Sequence, residues 1–114
     1  MKNRLLVMNG QRIVQIEEGG QWQNEKVEKA GLVKPGIYNI YLADQADMST
    51  TYRGTIIYAD KECVYQQVGK QFVRHHRQYF GKVPELGSHS GVRYEQGKAV
   101  VEAAPATLTR SVSR

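Results

Sequence analysis

Cysteine is almost missing from the 114-residue sequence, in which Cys63 is its single representative. This excludes an intramolecular disulfide and suits a reducing compartment. Long apolar runs are missing too, since the run near the N-terminus, residues 5–8, has only four members. Such a run is too short for the core of a signal peptide or for a membrane span. We therefore expect a soluble, cytoplasmic protein.

The common signatures of enzymes are also missing. The sequence contains no glycine-rich phosphate loop and no Gly-x-Ser-x-Gly nucleophile elbow. The one candidate nucleophile is Cys63 with His75 or His76 as its base, but its apolar neighbours favour a packed thiol. No Cys-x-x-Cys or His-x-x-x-His spacing connects the possible metal ligands, which are Cys63, His75, His76 and His89. We predict a non-catalytic protein without a metal or other cofactor.

Acidic residues are missing from one long stretch. None occurs between Glu62 and Glu85, although the chain as a whole has a formal net charge of +5. The same stretch contains a series of cations, namely Lys70, Arg74, Arg77 and Lys82. This asymmetry favours an acidic or polyanionic partner, while a solvated basic face without any partner is the alternative interpretation.

Regular turn signals dominate what the sequence does contain. Asn9-Gly10 is a strong signal for a two-residue hairpin turn, and Gly19-Gly20 and Gln96-Gly97 mark two more turns. Runs rich in β-branched and aromatic residues between such signals predict short strands. In the run at residues 37–42, Tyr38, Ile40 and Leu42 are expected to share the buried face of one strand.

Two segments determine the predicted helix content of the chain. Residues 24–30 are the best helix candidate, with Asn24 as the N-cap and Gly31 just beyond the C-terminus. In residues 66–76, Val68 and Phe72 recur at helical spacing, but Gly69 would destabilise a helix by about 1 kcal/mol. We therefore predict a β-hairpin there, followed by a short helical turn over residues 77–80.

Together these patterns predict a mostly β fold. We expect a small SH3-like barrel or roll of short antiparallel strands with one short helix. Residues 1–104 would form this single domain. Residues 105–114, which are rich in threonine and serine, would form a flexible C-terminal tail.

One block of the sequence comprises residues 34–43, 52–57 and 64–75, followed by the closing hairpin at residues 91–101. In the order and spacing of these segments the sequence resembles the KfrB family of small plasmid-encoded proteins. The opening segment with Asn9-Gly10-Gln11-Arg12 is similar to that of a free-standing KfrB protein. The resemblance implies an accessory protein of plasmid stable inheritance. It also implies association with a KfrA-like coiled-coil DNA-binding protein and with a KfrC-like protein.

On these grounds we predict one partner-binding surface on the central hairpin. Its expected members are Tyr65, Gln66, Lys70, Arg74, His75 and Arg77. Direct binding of nucleic acid by the same strip is the alternative, because cations alternate there with the aromatic residues Phe72, Tyr79 and Phe80. His75 is open to two interpretations, either a satisfied histidine that closes the barrel or a pH-sensitive binding group.

Overall fold

The computed structural model describes residues 2–103 and shows a mostly β fold, as predicted. The expected flexible tail at residues 105–114 lies outside the described residues. The strands are β1 Asn3–Met8, β2 Gln11–Glu18, β3 Gln21–Lys29, β4 Gly36–Tyr38, β5 Asp44–Gln45, β6 Tyr52–Ala59, β7 Cys63–Val68, β8 Gln71–His76, β9 His89–Glu95 and β10 Lys98–Ala103. Two 3-10 turns accompany them, at Ile40–Leu42 and Arg77–Tyr79.

The first half of the chain forms an antiparallel sheet in the order β3-β2-β1-β4. The predicted hairpin turn between β1 and β2 is confirmed, with Asn9 and Gly10 at φ 51° and 75°. Both residues adopt the left-handed conformation that a type I′ turn requires, and this turn matches the natural twist of the strands.

The predicted helix over residues 24–30 is wrong, because this segment is part of the edge strand β3. Val27 is the only large apolar side chain in the segment, so a helix would have had no apolar stripe to bury. Pairing with β2 instead satisfies the backbone along Gln21–Lys29. The charged side chains of β3 also suit an edge strand, since they oppose pairing with other chains.

The expected single strand over residues 37–42 is also wrong. Strand β4 ends at Tyr38, and the chain then enters the 3-10 turn. Tyr38 and Ile40 are buried, whereas 60% of Leu42 is exposed, so the three side chains do not share one face.

The second sheet has the order β10-β9-β6-β7-β8-β5, and only the short pair of β5 with β8 is parallel. The predicted central hairpin is confirmed as β7 and β8, with Gly69 at φ 62° in its turn. The predicted helical turn after it is the 3-10 turn at Arg77–Tyr79. Within residues 2–103 the two sheets stay open at their edge strands, so the fold is a roll and not a closed SH3-like barrel.

Two apolar clusters stabilise this arrangement. One lies between the sheets, where Leu5, Val7 and Val14 of the first sheet meet Tyr58 and Tyr65 of the second. The other lies inside the curve of the second sheet and contains Ile56, Val64 and Val92, covered by Phe80, Val83 and Leu86. No helix in the described part of the chain is long and apolar enough to cross a membrane.

Candidate functional site

The β7–β8 hairpin and the turn after it carry all six side chains of the predicted partner-binding surface, but alternation along the strands separates them. Tyr65 lies opposite Arg74 in the strand register, so both side chains are on the face towards the first sheet. Gln66 and His75 point to the other face, into the curve of the second sheet. Neither Gln66 nor His75 has any exposed surface.

Gln66 connects three strands of the second sheet through its buried amide. Its Nε2 atom donates to the carbonyl oxygens of Ser90 at 2.9 Å and of Tyr52 and Gly54 at 3.3 Å. Its Oε1 atom lies 2.9 Å from Nε2 of His75. A buried amide requires such partners, because an unsatisfied donor or acceptor would cost about 1–3 kcal/mol. The side chain of Gln66 therefore links β7 to β6 and β9 through hydrogen bonds in the interior.

These contacts fix the tautomer of His75. The amide nitrogen of Gln66 donates to carbonyl groups, so its oxygen must accept a hydrogen bond from the Nε2–H group of His75. Nδ1 of His75 then accepts from the hydroxyl of Tyr94 at 2.5 Å. The rings of Tyr52 and Phe80 pack edge-on against the imidazole. Burial lowers the pKa of His75 to about 4, so the ring is neutral at neutral pH.

The opposite face of the hairpin bears an exposed groove, which we call the mixed-charge groove. It has a volume of about 310 Å³ and is lined by Gln45, Asp60, Glu62, Cys63, Tyr65, Arg74 and His76. A shallow depression of about 540 Å³ adjoins it and shares Glu62 and His76, with Lys61, Arg77, Gln78 and Phe80 as its other lining residues. Tyr65, Arg74 and Arg77 are thus brought to one surface.

Both signs of charge occur on this surface. Nη1 of Arg77 donates to the carbonyl oxygen of Asp60 at 2.8 Å, and its backbone N–H donates to the carbonyl of Glu62 at 2.9 Å. The Asp60 carboxylate accepts the backbone N–H groups of Glu62 and Cys63, which orders the turn between β6 and β7. The fold therefore places the carboxylates of Asp60 and Glu62 on the same surface as Arg74 and Arg77, although no acidic residue is close to these arginines in the sequence.

Lys70 is not part of this surface. It lies in the turn at one end of the hairpin, while Arg77 follows the other end of β8. The six residues of β8 separate them by roughly 20 Å at about 3.3 Å per residue. The six predicted side chains therefore belong to three places, namely the surface formed by the groove and the adjoining depression, the buried network, and the hairpin turn.

The environment of Cys63 favours the packed thiol over the nucleophile. The side chain is half-buried against the cluster between the sheets. Burial, reinforced by the nearby Asp60 carboxylate, raises the pKa of Cys63 and so lowers its thiolate fraction. Among residues 2–103 no group of three or more His, Cys, Asp or Glu side chains is arranged to hold a metal ion.

Sequence reasoning missed Tyr94, Ser90 and Tyr52 as partners of the buried network. The side-chain alternation along β7 contains one usable signal, because Gln66 falls on the same face of the strand as the apolar Val64. An amide on the buried face of a strand indicates a hydrogen-bond partner inside the core. The partners themselves come from strands far along the chain, which no local pattern reveals.

Comparison with known proteins identifies the family. A family model described as the KfrB domain matches residues 51–103, which include β6 to β10 and the whole buried network. The protein TraB of Escherichia coli is 34% identical over an aligned length of 104 residues, and the match covers 86% of this chain and 69% of TraB. The chain belongs to the KfrB family. It is therefore a plasmid-associated protein, and its similarity to TraB extends beyond the segment that the family model matches.

Proposed function

We propose that this KfrB-family protein is a non-catalytic, cytoplasmic accessory protein of plasmid maintenance. It binds a KfrA-like coiled-coil DNA-binding protein or a KfrC-like protein through the mixed-charge groove and the adjoining depression. One observation carries this proposal, which is that Arg74 and Arg77 stand at an exposed concave surface beside two carboxylates.

The two arginines are suited to a protein partner. Arg77 is exposed, and its contact with the Asp60 carbonyl orients the guanidinium while leaving further N–H donors for a carboxylate. Tyr65 forms a wall of the groove, and burial raises the pKa of its hydroxyl to about 12. That hydroxyl is therefore neutral and able to donate. An acidic helix with some basic side chains would match this surface in charge.

Gln66 and His75 act in this proposal from the interior. Side chains without exposed surface cannot contact a partner, so they serve by holding the strands that present Tyr65 and Arg74. Lys70 would contribute only to a partner long enough to reach along the whole hairpin.

The direct binding of nucleic acid remains the alternative function, with less support from the geometry. Phosphates at the groove would meet the carboxylates of Asp60 and Glu62. The neighbouring aromatic rings are engaged in packing, since Phe80 contacts His75 and Tyr79 contacts Tyr94. Base stacking needs free aromatic faces. A protein partner therefore fits these contacts better.

A binding assay with purified neighbours tests the proposal. Arg74→Glu and Arg77→Glu should each weaken binding of the KfrA-like or KfrC-like protein by roughly tenfold or more, because like charges would then face the partner. Lys98→Glu is the matched control, since it makes the same charge change at the first residue of β10. Equal binding by all three variants and the native protein would remove this surface from consideration.

A salt titration separates the two functions. Binding to duplex or single-stranded DNA or to RNA at low salt, with a steep loss of affinity as salt rises, would support the alternative. Absence of any complex with nucleic acid at low salt would dismiss it.

A further inference from the structure

A row of four aliphatic side chains crosses the first sheet on the face that points away from the second sheet. The register pairs Val27 with Ile13, Ile13 with Leu6, and Leu6 with Ile37. Directly opposed residues of antiparallel strands project on the same side. Their neighbours Leu5, Val14 and Tyr38 are buried on the other side, so the row Leu6, Ile13, Val27 and Ile37 is the outer face of this sheet.

This outer face is exposed in the isolated chain. Val27 exposes 51% and Ile37 exposes 58% of its surface, and Met8 lies exposed in the next row along β1. A solvated sheet face normally alternates to polar side chains, so an unbroken aliphatic row across every strand is unusual there. Leu6 and Ile13 are only partly exposed in the centre.

Cations border the row on both sides. Arg4 stands one row away on β1, paired through its Nε with Gln15 at 2.7 Å and stacked over Trp22 at 4.2 Å. Lys29 stands on the other side, opposite Gln11 on β2. Within residues 2–103, neither cation is paired with a carboxylate. Glu17 lies opposite Trp22, a row beyond Arg4.

We propose that the outer face binds an amphipathic helix of another protein, with an aliphatic stripe over the row and carboxylates along both flanks of the stripe. Four strands about 4.8 Å apart give a row of roughly 14 Å, which is the length of about nine helical residues. The flanking rows of Arg4 and of Lys29 are four residues apart along β1, or roughly 13 Å, which suits one helix of about 10 Å diameter. A surface of this size is smaller than the roughly 800 Å² per partner that is typical of stable dimers.

The cationic border selects this occupant over two others. A second copy of the chain would bring Arg4 and Lys29 against the same residues and so would be repelled. The chain's own residues 104–114 contain Arg110 and Arg114 and no acidic side chain, so they do not match the charge either. The outer face lies on a different sheet from the mixed-charge groove, so this proposal stands independently of the proposed function.

A designed peptide provides the test. The probe is a helix of about 18 residues with leucine at helical spacing and glutamate on both flanks of the stripe. A second peptide carries lysine in place of each glutamate. Trp22 is the only tryptophan and contacts Arg4 at the border of the outer face, so its fluorescence reports binding directly. We expect a saturable change with the acidic peptide and none with the lysine peptide.

Three variants complete the design. The double variant Val27→Ser/Ile37→Ser should lower the affinity for the acidic peptide by roughly tenfold or more, because it removes apolar contact area. The single variant Lys29→Glu should lower this affinity by a similar factor, because it reverses one charge of the border. Val101→Ser is the matched control, since Val101 is an exposed valine on β10 of the other sheet. Urea denaturation of each variant confirms that it is folded. The exposed positions should leave stability nearly unchanged.

Several results would overturn the inference. One is equal binding of both peptides, and another is equal binding by the row variants and the control. A concentration-dependent dimer that the double variant abolishes would assign the outer face to a second copy. Binding to anionic lipid vesicles that the same variant abolishes would assign it to a membrane surface.

Discussion

Acidification should destabilise this protein through His75, because the native state holds that ring neutral. Burial lowers the pKa of His75 to about 4, against 6.5 for an exposed histidine. Between these two values the unfolded chain takes up a proton that the folded chain excludes. The free energy of unfolding should therefore be fully present above pH 6.5 and fall as the pH drops towards 4. The loss is about 2 kcal/mol by about pH 5 and about 3 kcal/mol in total.

Urea denaturation at a series of pH values measures this loss. Three proteins are compared, namely the native chain, His75→Gln and, as the matched control, His76→Gln at the exposed neighbouring position. The native chain and the control should show the steep decrease, whereas His75→Gln should be less stable at neutral pH but much flatter below it. A slope in His75→Gln equal to that of the native chain would refute the reasoning. So would an NMR titration of the His75 ring with a midpoint near 6.5.

Three further predictions concern single positions. Gln66→Leu should lower the free energy of unfolding by about 3 kcal/mol in a urea titration, because buried carbonyls and the imidazole lose their partner, while Gln67→Leu should have little effect. Gly54→Ala should cost about 3 kcal/mol or more because its Cβ would collide with the backbone carbonyl of Gln67, whereas Gly81→Ala meets open space and should change thermal stability by less than about 0.5 kcal/mol. Cys63 should react with a thiol reagent at least roughly tenfold more slowly in the folded than in the urea-unfolded chain, and a faster folded reaction would indicate an activated thiolate.

The sequence was informative wherever a local backbone requirement determined the structure. Asn9-Gly10, Gly69 and Gln96-Gly97 adopt the left-handed conformations that their turns require. The hairpins on either side of these turns were predicted correctly for that reason. Gly69 also decided correctly between helix and hairpin in the central segment, because its positive φ of 62° fits a turn.

Pairing between strands that are distant in sequence explains why other features were predicted wrongly or missed. The residues around Asn24 have acceptable helix propensity, but in the fold they pair with β2. This pairing stabilises the segment more than an isolated two-turn helix would. The outer face could not be anticipated, because it needs the register of four strands to bring Val27 into line with Ile37.

The candidate site shows the same division between local and distant information. Arg74 and Arg77 were predicted as exposed cations from the charge pattern, and both line the exposed surface. The acid-free stretch that contains them suggested a uniformly basic strip. Folding brings Asp60 and Glu62 beside them, because β6 and β7 meet in the turn before Cys63. Alternation then places Gln66 and His75 in the interior, away from any partner.

The most direct test of the proposed binding mode is an NMR titration of the isotopically labelled protein with a purified KfrA-like partner. The backbone and side-chain signals of Arg74, His76 and Arg77 should shift on binding, and Arg74→Glu should reduce affinity and shifts together. The signals of Lys98 should not move. Saturable binding that leaves every signal of the mixed-charge groove unchanged would contradict the proposal.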